Sequence, residues 1–230
     1  MTTMLITGAN RGLGYEAARR LLADGHDVWI AARDGSQGRA AAETLGARFV
    51  VLDVTDDKSV VAAAETVRTA TGLDVLVNNA GIQEGRIPVS EVDAEVMGRV
   101  YDTNVFGPVR VTRAFLPLLE QSSAPVIVNV ASGLGSQTVV ADPERVEFHV
   151  NALAYCSSKA ALLMVTTQYA KAYPGIKINA VDPGYTATDF NGHSGPQTVT
   201  EGTDAIVAMA VIGRDGPTGT FSDRHGIVPW

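Results

Sequence analysis

The sequence predicts an α/β fold, one doubly wound parallel sheet with helices on both faces, and three observations carry that prediction. Short runs rich in Val and Ile recur along the chain, each followed by a polar or glycine turn and then by an Ala/Leu-rich segment with helical spacing. That rhythm is the mark of repeated βα units around a parallel sheet. With 46% hydrophobic and 19% charged residues, the 230-residue chain is not disordered and can bury a sizeable core without staples. No domain-separating linker, internal repeat or low-complexity tract breaks the pattern, so residues 1–230 are read as a single domain.

The elements follow in order. A strand at 3–7 runs into glycines and a helix at 12–24, which stops near Asp24-Gly25. Strands at 27–32 and 48–53 flank a helix at 36–45. The helix at 56–71 is the clearest of all, because Val60, Ala64, Val67 and Thr71 share one stripe before Gly72 ends it. A strand at 73–77, helices at 90–102 and 106–120, and a strand at 125–131 come next. The chain then forms a helix at 153–173, a strand at 176–181, a helix at 200–212 and a short last strand near 219–222.

Composition excludes several function classes. The 18 Lys+Arg and 25 Asp+Glu leave a net charge of −7, which argues against nonspecific binding to nucleic acid or an anionic membrane. A lone cysteine, Cys156, rules out an intrachain disulfide framework and a cysteine-rich zinc site, and His26, His149, His193 and His225 lack metal-ligand spacing. The start of the chain has no signal-peptide pattern, and the uncharged stretch 121–141 is too polar and glycine-broken to span a bilayer. A soluble cytoplasmic protein is expected.

The first chemical signal is the turn Gly8-Ala9-Asn10-Arg11-Gly12-Leu13-Gly14 between the first strand and helix. Glycine there lets the backbone approach a pyrophosphate, and the free N–H groups and dipole of the helix start favour its negative charge. The bland alternative is a tight turn that only packs the helix. Dinucleotide folds of this Rossmann type place a ribose-binding acid near the tip of the second strand. Here Ala32 occupies the tip and Arg33 follows, with Arg11 inside the glycine turn. Two cations at this place suit a 2′-phosphate, unless they are ordinary solvated charges. Asp34 lies past the strand end, where it either serves the ribose or caps the next helix.

Seven elements in register, Thr7-Gly8-x-x-x-Gly12-x-Gly14, Asp53-Val54, Asn78-Asn79-Ala80-Gly81, Asn104, Ser132, Tyr155-x-x-x-Lys159 and Pro183-Gly184, resemble the short-chain dehydrogenase/reductase family over nearly the whole chain. Thr7 to Gly14 and Ala31 to Asp34 look most like its NADPH-dependent carbonyl reductases. The resemblance implies a dinucleotide-binding and catalytic domain that holds NADP(H). Gly8, Asn10, Arg11, Gly12, Leu13 and Gly14 would cradle the phosphates, with Arg33 at the 2′-phosphate. Asp53 and Val54 would take the adenine, and Asn78, Asn79, Ala80 and Gly81 would lie along the cofactor. Pro183, Gly184, the Thr186 backbone and the Thr188 hydroxyl would hold the carboxamide. Taken singly, Asp53 is equally a strand-end turn former, and the two asparagines equally satisfy backbone groups.

The chemistry explains why these residue types recur. Tyr155 and Lys159 are four apart and so neighbours on one helix face. A free phenol titrates near about 10, too high for fast proton exchange at neutral pH, but a nearby ammonium and an oxidised nicotinamide both stabilise the phenolate. Lys159 can also bind the ribose hydroxyls, and Ser132, at the end of an apolar strand, can present its hydroxyl to the substrate oxygen. In the family, Asn104 holds a water that links Lys159 to solvent. Together these residues imply reversible hydride transfer to a ketone or aldehyde, with Tyr155 exchanging the proton. Two other classes were weighed. A noncatalytic dinucleotide sensor on the same fold would be expected to have lost one of Tyr155, Lys159 or Ser132, and a methyltransferase typically has an acid where Ala32 stands.

Substrate and assembly are less marked. No arginine cluster suggests a carboxylate or coenzyme A ester, so a small apolar carbonyl compound or alcohol is expected, beneath a short candidate lid at 190–199 hinged at Gly192, Gly195 and Pro196. Ser132 and Tyr155 are 23 residues apart, farther than in many family members. The extra stretch between them shows no helical stripe and is expected to arch over the substrate mouth. In the carbonyl reductases a longer insertion at this place covers a helix face used for association, so monomer and homodimer are both open here.

Overall fold

Alternating apolar side chains build the sheet by pointing to two buried layers. The computed structural model describes residues 1–85 and 87–230. Parallel strands β1 (Thr3–Thr7), β2 (Asp27–Ala32), β3 (Arg48–Val51), β4 (Val75–Asn78), β5 (Val126–Val130), β6 (Lys177–Val181) and β7 (Phe221–Asp223) end at a short antiparallel β8 (Gly226–Ile227). Their order is β3-β2-β1-β4-β5-β6-β7-β8. On one face Met4, Ile6, Val28 and Ile30 pack against α1 (Gly12–Ala23), α2 (Gly35–Leu45) and α9 (Asp204–Ala210, numbered by its place in the chain). On the other, Leu5, Trp29, Ala31 and Leu76 pack against α3 (Asp57–Ala70), α5 (Gly107–Leu119) and α7 (Leu153–Ala172). The order in which successive strands are added reverses between β1 and β4, and the crevice at such a switch point, beyond the strand C-termini, is where doubly wound sheets take ligands.

Most elements fall where the periodicity puts them, with four differences. The helix expected at 90–102 is α4 (Ala94–Tyr101), started by Asp93, whose Oδ1 accepts from Val96 N at 2.9 Å, and a π-helical turn over Asp102–Phe106 joins it to α5. The helix expected at 200–212 breaks at the buried Thr203 into α8 (Val199–Gly202) and α9, since Thr203 Oγ1 donates back to Thr200 O at 2.8 Å. Strand β8 adds a hairpin beyond the expected last strand, its turn closed by Asp223 Oδ1, which accepts from the amides of His225 and Gly226.

The fourth difference corrects the reading of the segment before α7. Residues 133–140 do not arch over the cleft: they form a tight turn at Gly133–Gly135 and α6 (Gln137–Val140), with Val139 packed among Leu162, Leu163 and Phe221. A single buried valine, rather than a stripe, anchors this piece, so periodicity misses it. Gly133 and Leu134 line the cleft wall beside Ser132, and farther along the segment Val146, Glu147 and Val150 line it as well. Among the described residues no helix is long and apolar enough to cross a membrane.

Candidate active site

A cleft of about 1110 Å³ opens at the C-terminal edge of the sheet. Its floor is the turn after β1. Gly8 has φ +63°, and a methyl there would stand 2.9 Å from Ala80 Cα, so only glycine fits. No side chain caps the start of α1, which leaves its first amides directed at the cleft wall formed by Gly8, Asn10, Arg11, Gly12 and Leu13. Gly14 does not line the cleft. A methyl at Gly14 would lie 2.5 Å from Asn79 Nδ2 and 2.9 Å from Gly8 O, so its role is to let α1 pack against the end of β4.

Past the tip of β2, Arg33 lines the cleft, is exposed, and has no ion-pair partner among the described residues. Asp34 resolves to the capping role: its Oδ1 accepts from Ser36 N at 2.9 Å and Gln37 N at 3.0 Å. Arg11 instead reaches across the cleft to Asp189, 3.7 Å away, and Asp189 is also 2.8 Å from His193 Nε2. Asp53 and Val54 line the same end, and Asp53 keeps its turn-forming role as well, accepting from Thr55 N and Oγ1.

The asparagines divide. Asn79, with Ala80 and Gly81, lines the cleft, and its Nδ2 donates to Thr7 O at 2.8 Å, tying β4 to the glycine turn. Asn78 does not reach the cleft. It continues the inward face of Leu76, and its Nδ2 donates to Thr112 Oγ1 and Asn129 Oδ1 inside the core. Strand alternation alone places it there. Asn104 sits in the π-helical turn but also stays behind the cleft wall: Oδ1 accepts from Ile82 N and Nδ2 donates to Ile82 O, both at 2.8 Å, and Nδ2 also reaches Ser158 Oγ. Pro183, Gly184 and Thr188 line the cleft, whereas Thr186 is buried, its hydroxyl turned to Pro183 O and Gln197.

Ser132, Tyr155 and Lys159 meet at the centre. Lys159 Nζ lies 5.5 Å from the Tyr155 ring centroid and donates to Val130 O at 2.7 Å. Burial pulls its pKa down to about 8, with the Asp182 carboxylate working against that shift. Burial pushes the Tyr155 phenol above its ordinary value; the facing Ser132 hydroxyl favours the phenolate, while Asp182, Cys156 and Glu84 oppose it. The protein's own groups thus move the phenol opposite to the direction expected from a neighbouring ammonium, because desolvation is the largest cause. Cys156, half-buried, has its thiol pushed up by burial, as suits an unreactive structural cysteine. Among the described residues no His, Cys, Asp or Glu group could hold a metal.

Three contributors escape sequence reasoning. Asp182, 9% exposed, accepts from Gly184 N at 2.9 Å and holds the turn after β6. Phe190, at the start of the segment expected to form a lid, sets its ring 5.6 Å from that of Tyr155. Gly135 lets the turn after β5 touch α7, since a methyl there would lie 2.6 Å from Lys159 C and 2.8 Å from Ala160 N. Only the glycine in the run Ser132-Gly133-Leu134-Gly135 offered a signal. Gly135→Ala is expected to cost about 1–3 kcal/mol in chemical denaturation, the range for overpacking against backbone.

The fold is shared with known proteins. The short chain dehydrogenase family model matches residues 2–198, and the chain belongs to that family of oxidoreductases. A (+)-neomenthol dehydrogenase from Arabidopsis thaliana is 33% identical, with 97% of this chain and 96% of the plant protein covered. The structure of salutaridine reductase from Papaver somniferum superposes with a TM-score of 0.82 at 28% identity, covering 97% of this chain and 99% of that one. A 3-ketoacyl-(acyl-carrier-protein) reductase from Brucella melitensis, complexed with NADH, gives 0.85 at 26% identity and 96% coverage of both chains.

Proposed function

We propose that this protein catalyses the NADPH-dependent, reversible reduction of a small apolar ketone or aldehyde to an alcohol, with Tyr155 as the acid. The observation that carries this reading is the convergence of the Tyr155 phenol, the Ser132 hydroxyl and the Lys159 ammonium in the same cleft as the uncapped start of α1. The glycine turn fits a dinucleotide, because Gly8 excludes any side chain and the α1 amides face the place a pyrophosphate needs. When bound, the nicotinamide supplies the hydride and, once oxidised, a positive charge beside the phenol.

Each residue then has one task. Ser132 orients the substrate oxygen, Tyr155 gives it a proton, and Lys159 binds the ribose and stabilises the phenolate left behind. Asp53 and Val54 hold the adenine end; Pro183, Gly184, Thr188 and the Thr186 backbone hold the carboxamide end. Asn104 acts through the Ile82 backbone and α7, as part of the frame behind Lys159. Ile82, Ile87, Leu134, Val146, Val150 and Phe190 supply an apolar mouth that suits an uncharged carbonyl compound. The relatives named for neomenthol and salutaridine support this substrate class.

The preference for NADPH follows from charge. Arg33 is free to meet a 2′-phosphate, Arg11 lines the same cleft although it reaches towards Asp189, and Asp34 is committed to its helix. A charge-assisted contact contributes about 1.5–3 kcal/mol, so at least about tenfold higher kcat/KM with NADPH is expected. Steady-state kinetics with both cofactors over a panel of cyclic ketones, aldehydes and quinones tests this. Equal or better efficiency with NADH overturns the cofactor assignment, and no turnover on any carbonyl overturns the reaction.

A further inference from the structure

We propose that Glu84 is a positioning residue for Tyr155, capping the catalytic helix with a carboxylate delivered from the loop after β4. Helix α7 begins after Ala152, which has no side chain able to cap it. The amides at its second and third positions, Ala154 and Tyr155, are the donors that a capping serine or aspartate ordinarily satisfies. Glu84 satisfies both: Oε1 accepts from Ala154 N at 2.9 Å and Oε2 from Tyr155 N at 3.0 Å. One of the two clamped residues is therefore Tyr155 itself, and a negative charge sits at the positive end of a 20-residue helix.

The loop that carries Glu84 is itself held. Asn104 grips both backbone groups of Ile82, and the same Asn104 reaches Ser158 on the second turn of α7. Gln83 Nε2 donates to the carbonyl oxygen of Phe190, whose ring faces that of Tyr155. Three consecutive residues thus brace the π-helical turn, the lid and the catalytic helix. Glu84 is the member of that brace with a charge.

Position and charge make separable contributions. The charged groups facing Tyr155 are Glu84 from the loop, Lys159 from α7 and Asp182 from the end of β6, with the Cys156 thiol beside it on α7 and the neutral Ser132 opposite. The Glu84 carboxylate favours the protonated phenol, so its removal shifts the titration of the acid downward. Loss of the clamp lets the first turn of α7 fray, and the phenol moves relative to the substrate oxygen.

The inference rests on the reading of Tyr155 as the acid, and the test separates the two. Glu84→Gln keeps the shape and removes the charge; Glu84→Asp keeps the charge but is a methylene too short to hold both amides. In both, hydrogen exchange at the Ala154 and Tyr155 amides is expected to speed up about tenfold or more as the turn opens locally. Substrate kcat should fall by about tenfold, less than the roughly hundredfold that a full ångström of misplacement costs, with KM little changed. The apparent pKa on kcat should move down in Glu84→Gln and stay near the wild-type value in Glu84→Asp. Wild-type exchange at both amides overturns the cap. Faster exchange or lower melting temperature with an unaltered kcat and pH profile makes Glu84 structural only and overturns the positioning role. Near wild-type turnover in Tyr155→Phe would instead sink the reading beneath it, while the exchange result would still decide the cap.

Discussion

Tyr155→Phe is expected to fold and to bind NADPH like the wild type, and to reduce substrate roughly 10²–10⁴-fold more slowly. The substitution removes one hydroxyl and keeps the ring that packs against Phe190. The glycine turn, Arg33 and the Pro183-Gly184 turn are untouched, so the dissociation constant for NADPH measured by fluorescence titration should change by less than about threefold, well under the tenfold that 1.4 kcal/mol would give. What the variant loses is the proton that must reach the substrate oxygen. Ser132 cannot replace it, since a hydroxyl without a partner that takes up negative charge is a far weaker acid. A variant that binds NADPH normally and turns over near the wild-type rate would remove Tyr155 from the chemistry.

The second large effect is expected at Lys159. Lys159→Met should lower kcat by about 10²–10³-fold, the range for deleting one electrostatic donor aimed at developing charge. It should do so without lowering stability at pH 7, because the ammonium is buried at 4% exposure with a pKa near 8. The unfolded chain keeps that proton up to about pH 10.4. Between pH 8 and that value the unfolded state binds more protons, so the wild type gains stability as pH rises through the window, and below it the buried charge is a standing cost. The shift from 10.5 to about 8 corresponds to about 3 kcal/mol. Leaving Val130 O without its donor costs about 1–3 kcal/mol in return, so the two nearly cancel at pH 7. Denaturant titrations from pH 7 to 10.5 should therefore show wild type and variant close at neutral pH, with the wild type pulling ahead as pH rises. A variant destabilised equally at every pH would mean that Lys159 carries no buried charge.

How far residues alone lead depends on how local their contacts are. The sheet is readable because Met4-Leu5-Ile6 and Val75-Leu76-Val77 are short continuous apolar runs bounded by turns, the mark of strands buried on both faces. The glycine turn and the Tyr155 and Lys159 pair are readable for the same reason, since turn and helix geometry hold their members together within a few residues. Asn78 shares the face of Leu76 by strand alternation and so separates from Asn79, Ala80 and Gly81, although the four are consecutive and resemble one motif. The π-helical turn at Asn104 follows from one extra residue per turn, for which side-chain type carries little signal. Val139 and the Glu84 clamp rest on contacts between distant parts of the chain, and the clamp joins residues 70 apart.

In the proposed function, hydride passes from NADPH to a carbonyl carbon in this cleft while the chain supplies the proton. Mass spectrometry and proton NMR of the alcohol formed from a cyclic ketone, with the transferring C4 hydrogen of NADPH replaced by deuterium and the reaction run in ordinary water, test it most directly. One deuterium on the carbinol carbon, none on oxygen after isolation, and one oxidised cofactor per alcohol are expected. An alcohol without deuterium, or oxidised NADPH with no alcohol formed, would contradict it.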